Sequence, residues 1–116
     1  MSNLNIIRLE PNGPEGASLI EDELDQADFQ SALPVQHSYS YYEDEGSGLY
    51  IGVWDTNTMQ EKFGPYGMDE FMWVIEGQVT MVDESGNETI VKAGEAFVIP
   101  KGYPCSWKQE GYLKKY

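Results

Sequence analysis

The residue best placed to do chemistry in this chain is a carboxylate at the mouth of an apolar run. Glu70 opens Glu70-Phe71-Met72-Trp73-Val74-Ile75-Glu76-Gly77, and strand alternation puts it on one face with Met72 and Val74. A carboxylate turned inward among apolar side chains either finds hydrogen-bond donors or takes up a proton. Three roles stay open for it: a structural acid bonded to Tyr66 or a backbone amide, a general acid/base, and a group that orients a ligand. Cys105, the single cysteine, follows Pro104 in what reads as a loop. A lone cysteine is by default a small buried hydrophobe. To act as a nucleophile it needs a base or cation to form thiolate, and Lys101 and Lys108 are near it only in sequence. His37, the single histidine, lies in Gln36-His37-Ser38-Tyr39 and cannot build a metal cluster alone, so it is expected to face solvent or an interface. Trp54, Trp73 and Trp107 default to packing, and Trp107, on the strand face of Cys105, has the best claim to a pocket. Tyr66, Glu70, Met72, Cys105 and Trp107 are therefore expected to line an apolar cup holding a few polar groups, the usual form of a small-molecule site.

The elements that must position these residues read as short strands separated by turn signals. Strands are predicted at 35–42, 49–54, 59–63, 70–75, 78–82, 88–92, 97–99, 106–109 and 111–116, with Asp55-Thr56-Asn57-Thr58 as a turn cluster and Asp83-Glu84-Ser85-Gly86-Asn87 as a hairpin loop. Such spacing indicates an all-β sandwich or barrel. Residues 1–34 read as an N-terminal arm packing on the barrel or a partner, and 35–116 as the barrel domain. Within the arm, Asn5-Ile6-Ile7-Arg8-Leu9 is predicted as a short strand, while 20–25 fits either a helical turn or an extended segment. Phe71, Trp73 and Ile75 form a second apolar face on the 70–75 strand. An antiparallel strand that is apolar on both faces needs cover on both, so a homodimer is expected.

Composition narrows the classes further. A chain of 116 residues supports one core. Its formal net charge of -13 repels phosphate backbones and anionic lipid, which argues against nucleic acid and membrane surfaces as partners. With one cysteine no internal disulfide can form. Met1-Ser2-Asn3-Leu4-Asn5 begins no signal pattern, and no run of about 18 apolar residues occurs. A reducing, cytoplasmic setting fits these features.

Two motifs in order resemble those of the cupins, small antiparallel jelly-roll or double-stranded β-helix barrels. Six residues separate Glu70 from Gly77, as in the first cupin motif; Gly94, Pro100 and Gly102 match the second, with Cys105 at its histidine position. Asp69-Glu70-Phe71, Val74-Ile75-Glu76-Gly77 and Phe97-Val98-Ile99-Pro100-Lys101-Gly102, with Gly52-Val53-Trp54 and Trp107, most resemble the ureidoglycine-aminohydrolase-like cupins and, more loosely, the ethanolamine-utilisation cupin. The resemblance implies a cupin barrel over roughly 35–116 and, in most of its members, a metal held by three histidines and one glutamate. The two upstream histidine positions fall at about Gly64 and Tyr66, so of that set only Glu70 remains. One carboxylate is a weak anchor for a transition metal, and a tyrosine ligates well only when deprotonated. No metal or other cofactor is therefore expected, with an atypical divalent metal on Glu70, Cys105 and Tyr66 as the minority alternative. The expected function is binding of a small polar metabolite in the barrel pocket. The alternatives are an aminohydrolase-like or isomerase-type enzyme with Glu70 as general acid/base, and an interaction module with a vestigial pocket.

Overall fold

The structure, a computed structural model, describes residues 4–116; the expectations that fall on the first three residues lie outside it. Eleven strands occur among the described residues: β1 (Ile20–Glu21), β2 (Gln36–Asp44), β3 (Leu49–Thr56), β4 (Met59–Gln60), β5 (Gly64–Pro65), β6 (Glu70–Glu76), β7 (Gln78–Asp83), β8 (Glu88–Lys92), β9 (Ala96–Ile99), β10 (Pro104–Gln109) and β11 (Leu113–Lys115). The single helical element described is a 3-10 turn, Gln26–Asp28, whose start is capped where the Asp25 carboxylate accepts the Ala27 N–H at 2.9 Å. The all-β expectation holds. Among the described residues no helix is long and apolar enough to cross a membrane.

The strands form two antiparallel sheets. One runs β1-β2-β3-β11-β6-β9; the other runs β4-β10-β7-β8, with β5 also on β10. The sheets meet through alternation within their strands. In β6, Met72 and Val74 are fully buried while Phe71 and Trp73 face outward, 65% and 44% exposed. Phe29, Met59, Val79, Met81, Val91, Ile99, Cys105, Trp107 and Leu113 complete the shared core, and burying each large apolar side chain contributes roughly 1.5–3 kcal/mol.

Two glycines hold the turns that the motifs predicted. Gly77, between β6 and β7, has φ +84°, and a Cβ there would stand 2.2 Å from the Tyr112 carbonyl oxygen, so only glycine fits. At Gly94 there is space, and a φ of +85° is the constraint. Its N–H donates to the Val74 carbonyl at 2.8 Å, which ties the β8–β9 turn back to β6.

Three expectations are corrected. Residues 5–9 form no strand; β1 takes the available edge of β2, with Ile20 opposite Ser38, and makes the 20–25 region extended at its start. The arm is tied instead by tyrosines. The Tyr41 hydroxyl donates to Glu10 O at 2.8 Å, and the Tyr116 hydroxyl donates to Leu9 O at 3.0 Å. Asp55 and Thr56 belong to β3 and not to a turn, because Lys114 and Leu113 of β11 pair with them. Cys105 lies in β10, paired with Asp83 and Gly64, and not in a loop.

Candidate functional site

Glu70 begins β6 at the edge of the core, opposite Ile99 of β9, and its half-buried side chain turns to the inner face as alternation requires. One carboxylate oxygen accepts the Tyr66 hydroxyl at 2.7 Å, and the other bonds the Lys115 ammonium. Tyr66 lies four residues before Glu70 and is fixed by its backbone, its N–H donating to Tyr103 O at 2.9 Å and its carbonyl accepting from Gly102 N–H at 2.8 Å. Lys115 arrives from β11 opposite Val74 and Trp54. Strand alternation sends Lys114 and Lys115 to opposite sides of the sheet, Lys114 with Asp55 and Lys115 with Trp54. The Lys115 ammonium sits 4.9 Å from the Trp54 ring centroid and 5.5 Å from that of Trp107, and the two rings meet edge to face at 5.7 Å. A cation over aromatic faces and beside a carboxylate is stabilised by both.

In front of this ion pair lies a cavity of about 260 Å³ whose walls include Glu61, Tyr66, Glu70, Met81, Cys105 and Trp107. Of the five residues expected to line a pocket, the fold brings Tyr66, Glu70, Cys105 and Trp107 together. Met72 departs from that set: it is fully buried in the core and is not among the lining residues. His37 belongs to another cluster on the outer face of the sheet, where its Nδ1 meets the Asp55 carboxylate at 2.8 Å and the Tyr112 hydroxyl donates to the other Asp55 oxygen at 2.6 Å. Trp73 points outward, away from the cavity.

Sequence reasoning missed Glu61 and Lys115. Glu61 follows β4, its N–H donating to Trp107 O at 2.9 Å and its carbonyl accepting the Ser106 hydroxyl at 2.7 Å. Its carboxyl is raised above the ordinary range, chiefly by burial, against the lowering effect of Lys115 and with further raising by Glu70 and Asp28. Burial raises the Cys105 thiol as well, with Glu61 adding to it, so the sulfur is held as a neutral thiol, the reverse of what a nucleophile needs. Burial and then Glu70 push the Tyr66 hydroxyl far above its usual range, and it stays a donor.

The donor set does not fit the metal centre that the cupin motifs would otherwise imply. At the upstream positions stand a glycine and a protonated phenol, Cys105 is a thiol, and Glu70 already holds an ammonium. Among the described residues no group of three or more His, Cys, Asp or Glu is arranged to hold an ion. A divalent cation beside Lys115 would also meet like charge.

Two facing antiparallel sheets with this motif pair and an inward glutamate define a cupin. The family model of the EutQ-like cupin domain matches residues 44–116, and the chain belongs to that family. Among solved structures it is similar to a protein of unknown function of the DUF861 family from Pseudomonas syringae pv. tomato str. DC3000, at 32% identity, TM-score 0.82, covering 92% of this chain and 44% of that one. The chain thus spans less than half the length of that relative. It is also similar to the EutQ protein of Clostridium difficile, at 19% identity, TM-score 0.60, covering 81% of this chain and 76% of that one. The polyketide cyclase RemF of Streptomyces resistomycificus, at 14% identity, TM-score 0.64 and coverage of 96% and 76%, shares the fold alone. No curated protein matches the sequence.

Proposed function

We propose that the chain binds a small polar metabolite in the cavity before Glu70, without a 3-His-1-Glu metal centre. The observation that carries this reading is Glu70 held from both sides, by the Tyr66 hydroxyl and the Lys115 ammonium, at the wall of a cavity. A carboxylate so fixed presents its remaining lone pairs at a set position, which suits orienting a ligand's N–H or O–H. At about 260 Å³ the cavity falls just below the usual range for ligand pockets, roughly 300–1,000 Å³, and suits a ligand of few atoms. The wording around Glu70 and Pro100 supports placing the chain nearest the ureidoglycine-aminohydrolase-like cupins.

A thermal-shift screen over nitrogenous metabolites, sugars and small acids tests the reading. Saturable stabilisation by a ligand, lost in Glu70→Ala, is the expected result, because a ligand bound only to the folded state stabilises it by mass action. Elemental analysis of protein purified without chelator or affinity tag runs beside it, and stoichiometric transition metal would overturn the metal-free half of the proposal.

We further propose that the chain forms homodimers through the outward face of β6 and β9. Phe71, Trp73 and Val98 are exposed there, and an apolar patch of this kind favours association. Light scattering of the wild type and of Phe71→Ser should give a dimer and a monomer respectively; a monomeric wild type would end this proposal.

A further inference from the structure

Every charged group around the cavity except one has a partner or lies at its edge. Glu70 is matched by Lys115, and Lys115 is not among the lining residues but stands behind Glu70, between two indoles. Lys62 lines the cavity from its exposed rim. Tyr66 and Cys105 are held neutral. Glu61 is the exception. Its backbone is pinned to β10 on both sides, and its carboxylate has no hydrogen-bond or salt-bridge partner among the described residues.

We infer that the cavity takes a small organic cation, an ammonium or amidinium of a few heavy atoms, with Glu61 as its counter-ion. The inference rests on reading this cavity as a small-metabolite site and names the class of ligand. A half-buried carboxylate with no direct donor, drawn on only by the field of Lys115, is partly desolvated, and a bound cation offsets that cost. An anion would instead face two carboxylates, with Lys115 screened from it by Glu70. A cationic ligand leaves its N–H donors for Glu61, the free lone pairs of Glu70 and the Tyr66 oxygen, while Met81 and Trp107 take its apolar part.

The pH dependence follows from the groups facing Glu61: Glu70 from β6, Lys115 from β11, Asp28 from the 3-10 turn, Cys105 from β10, Tyr66 beyond β5, and Lys62 on the rim. Burial, Glu70 and Asp28 raise its carboxyl, and Lys115 opposes them. Because the ligand needs the carboxylate charged, binding strengthens as pH rises through the titration of Glu61 and weakens below it.

The test is an amide-resolved NMR titration of the full chain with methylammonium and methylguanidinium, against acetamide and acetate, with potassium chloride balancing ionic strength. Saturable shifts at Glu61, Cys105 and Trp107 with the two cations are expected, and the affinity should fall roughly tenfold or more in Glu61→Gln, as for loss of one charged hydrogen bond. Glu61→Asp keeps the charge and should retain part of the binding; near-ultraviolet circular dichroism establishes that both variants fold. Acetamide or acetate binding as well as the cations, or unchanged cation affinity in Glu61→Gln, would overturn the inference while leaving the small-metabolite reading intact. If the cavity amides respond to no probe and to no hit of the metabolite screen, both fail together.

Discussion

Two carboxylates in the same sheet are built from nearly the same parts. Glu70, on the inner face, takes a tyrosine hydroxyl on one oxygen and a lysine ammonium on the other. Asp55, on the outer face, takes the Tyr112 hydroxyl on one oxygen and the His37 imidazole on the other. What differs is the space beside them. Asp55 is buried 8% exposed between β2 and β11, and the neighbouring Lys114 is anchored to Asn12 of the arm at 2.6 Å, so its polar atoms are consumed within the fold. Glu70 borders a cavity, with an unpaired Glu61 in the same wall. The same bonding pattern thus serves a structural role where the surroundings close over it and a binding role where they stay open.

The comparison can be broken at either end. Lys115→Met should have the largest effect, about 3 kcal/mol lost in urea unfolding, toward the low end for a broken buried pair because Glu70 keeps some contact with solvent. Tyr112→Phe leaves one oxygen of the buried Asp55 without its donor and should cost about 2 kcal/mol in the same measurement. Tyr66→Phe removes an equivalent bond at Glu70, yet water entering the cavity replaces the hydroxyl, so a loss of about 1 kcal/mol is expected. If Tyr66→Phe proved as costly as Tyr112→Phe, the distinction between open and closed carboxylates would fail.

The smallest effect sharpens the contrast through pH. Glu61 has a folded-state pKa raised above its unfolded value, so ionising it works against the fold. Its favourable contribution is present below the unfolded pKa and is lost as pH rises through the folded one. Glu61→Gln should therefore raise the melting temperature slightly at pH 8, with the difference from wild type disappearing toward pH 4. A constant difference across that range would mean that Glu61 does not titrate as described.

Much of the fold was legible because its signals are local. Gly77 and Gly94 mark turns by their own backbone, and the alternation of Glu70, Met72 and Val74 against Phe71 and Trp73 follows from the pleat. The Tyr66–Glu70 bond was also within reach, since the two are four residues apart beside one turn. Lys115 was not legible: 45 residues separate it from Glu70, and which face of β11 turns inward depends on its pairing with β3 and β6, which no local pattern announces. Glu61 looked like one polar residue in a short strand, and only the pairing of β4 with β10 turns it toward Cys105. The arm departs from its sequence pattern for a related reason. Alternating apolar residues at 5–9 suggest a strand, but a strand also needs an edge, and β1 occupies that of β2.

The dipeptide Lys114-Lys115 acts as a pin driven through the sheet. Its first ammonium grips Asn12 on the outside and its second grips Glu70 on the inside. A slip of β11 by one place would exchange the two, withdrawing a charge from each side at once. The closing strand therefore behaves as a latch shared by arm and pocket, so that neither can loosen without the other registering it.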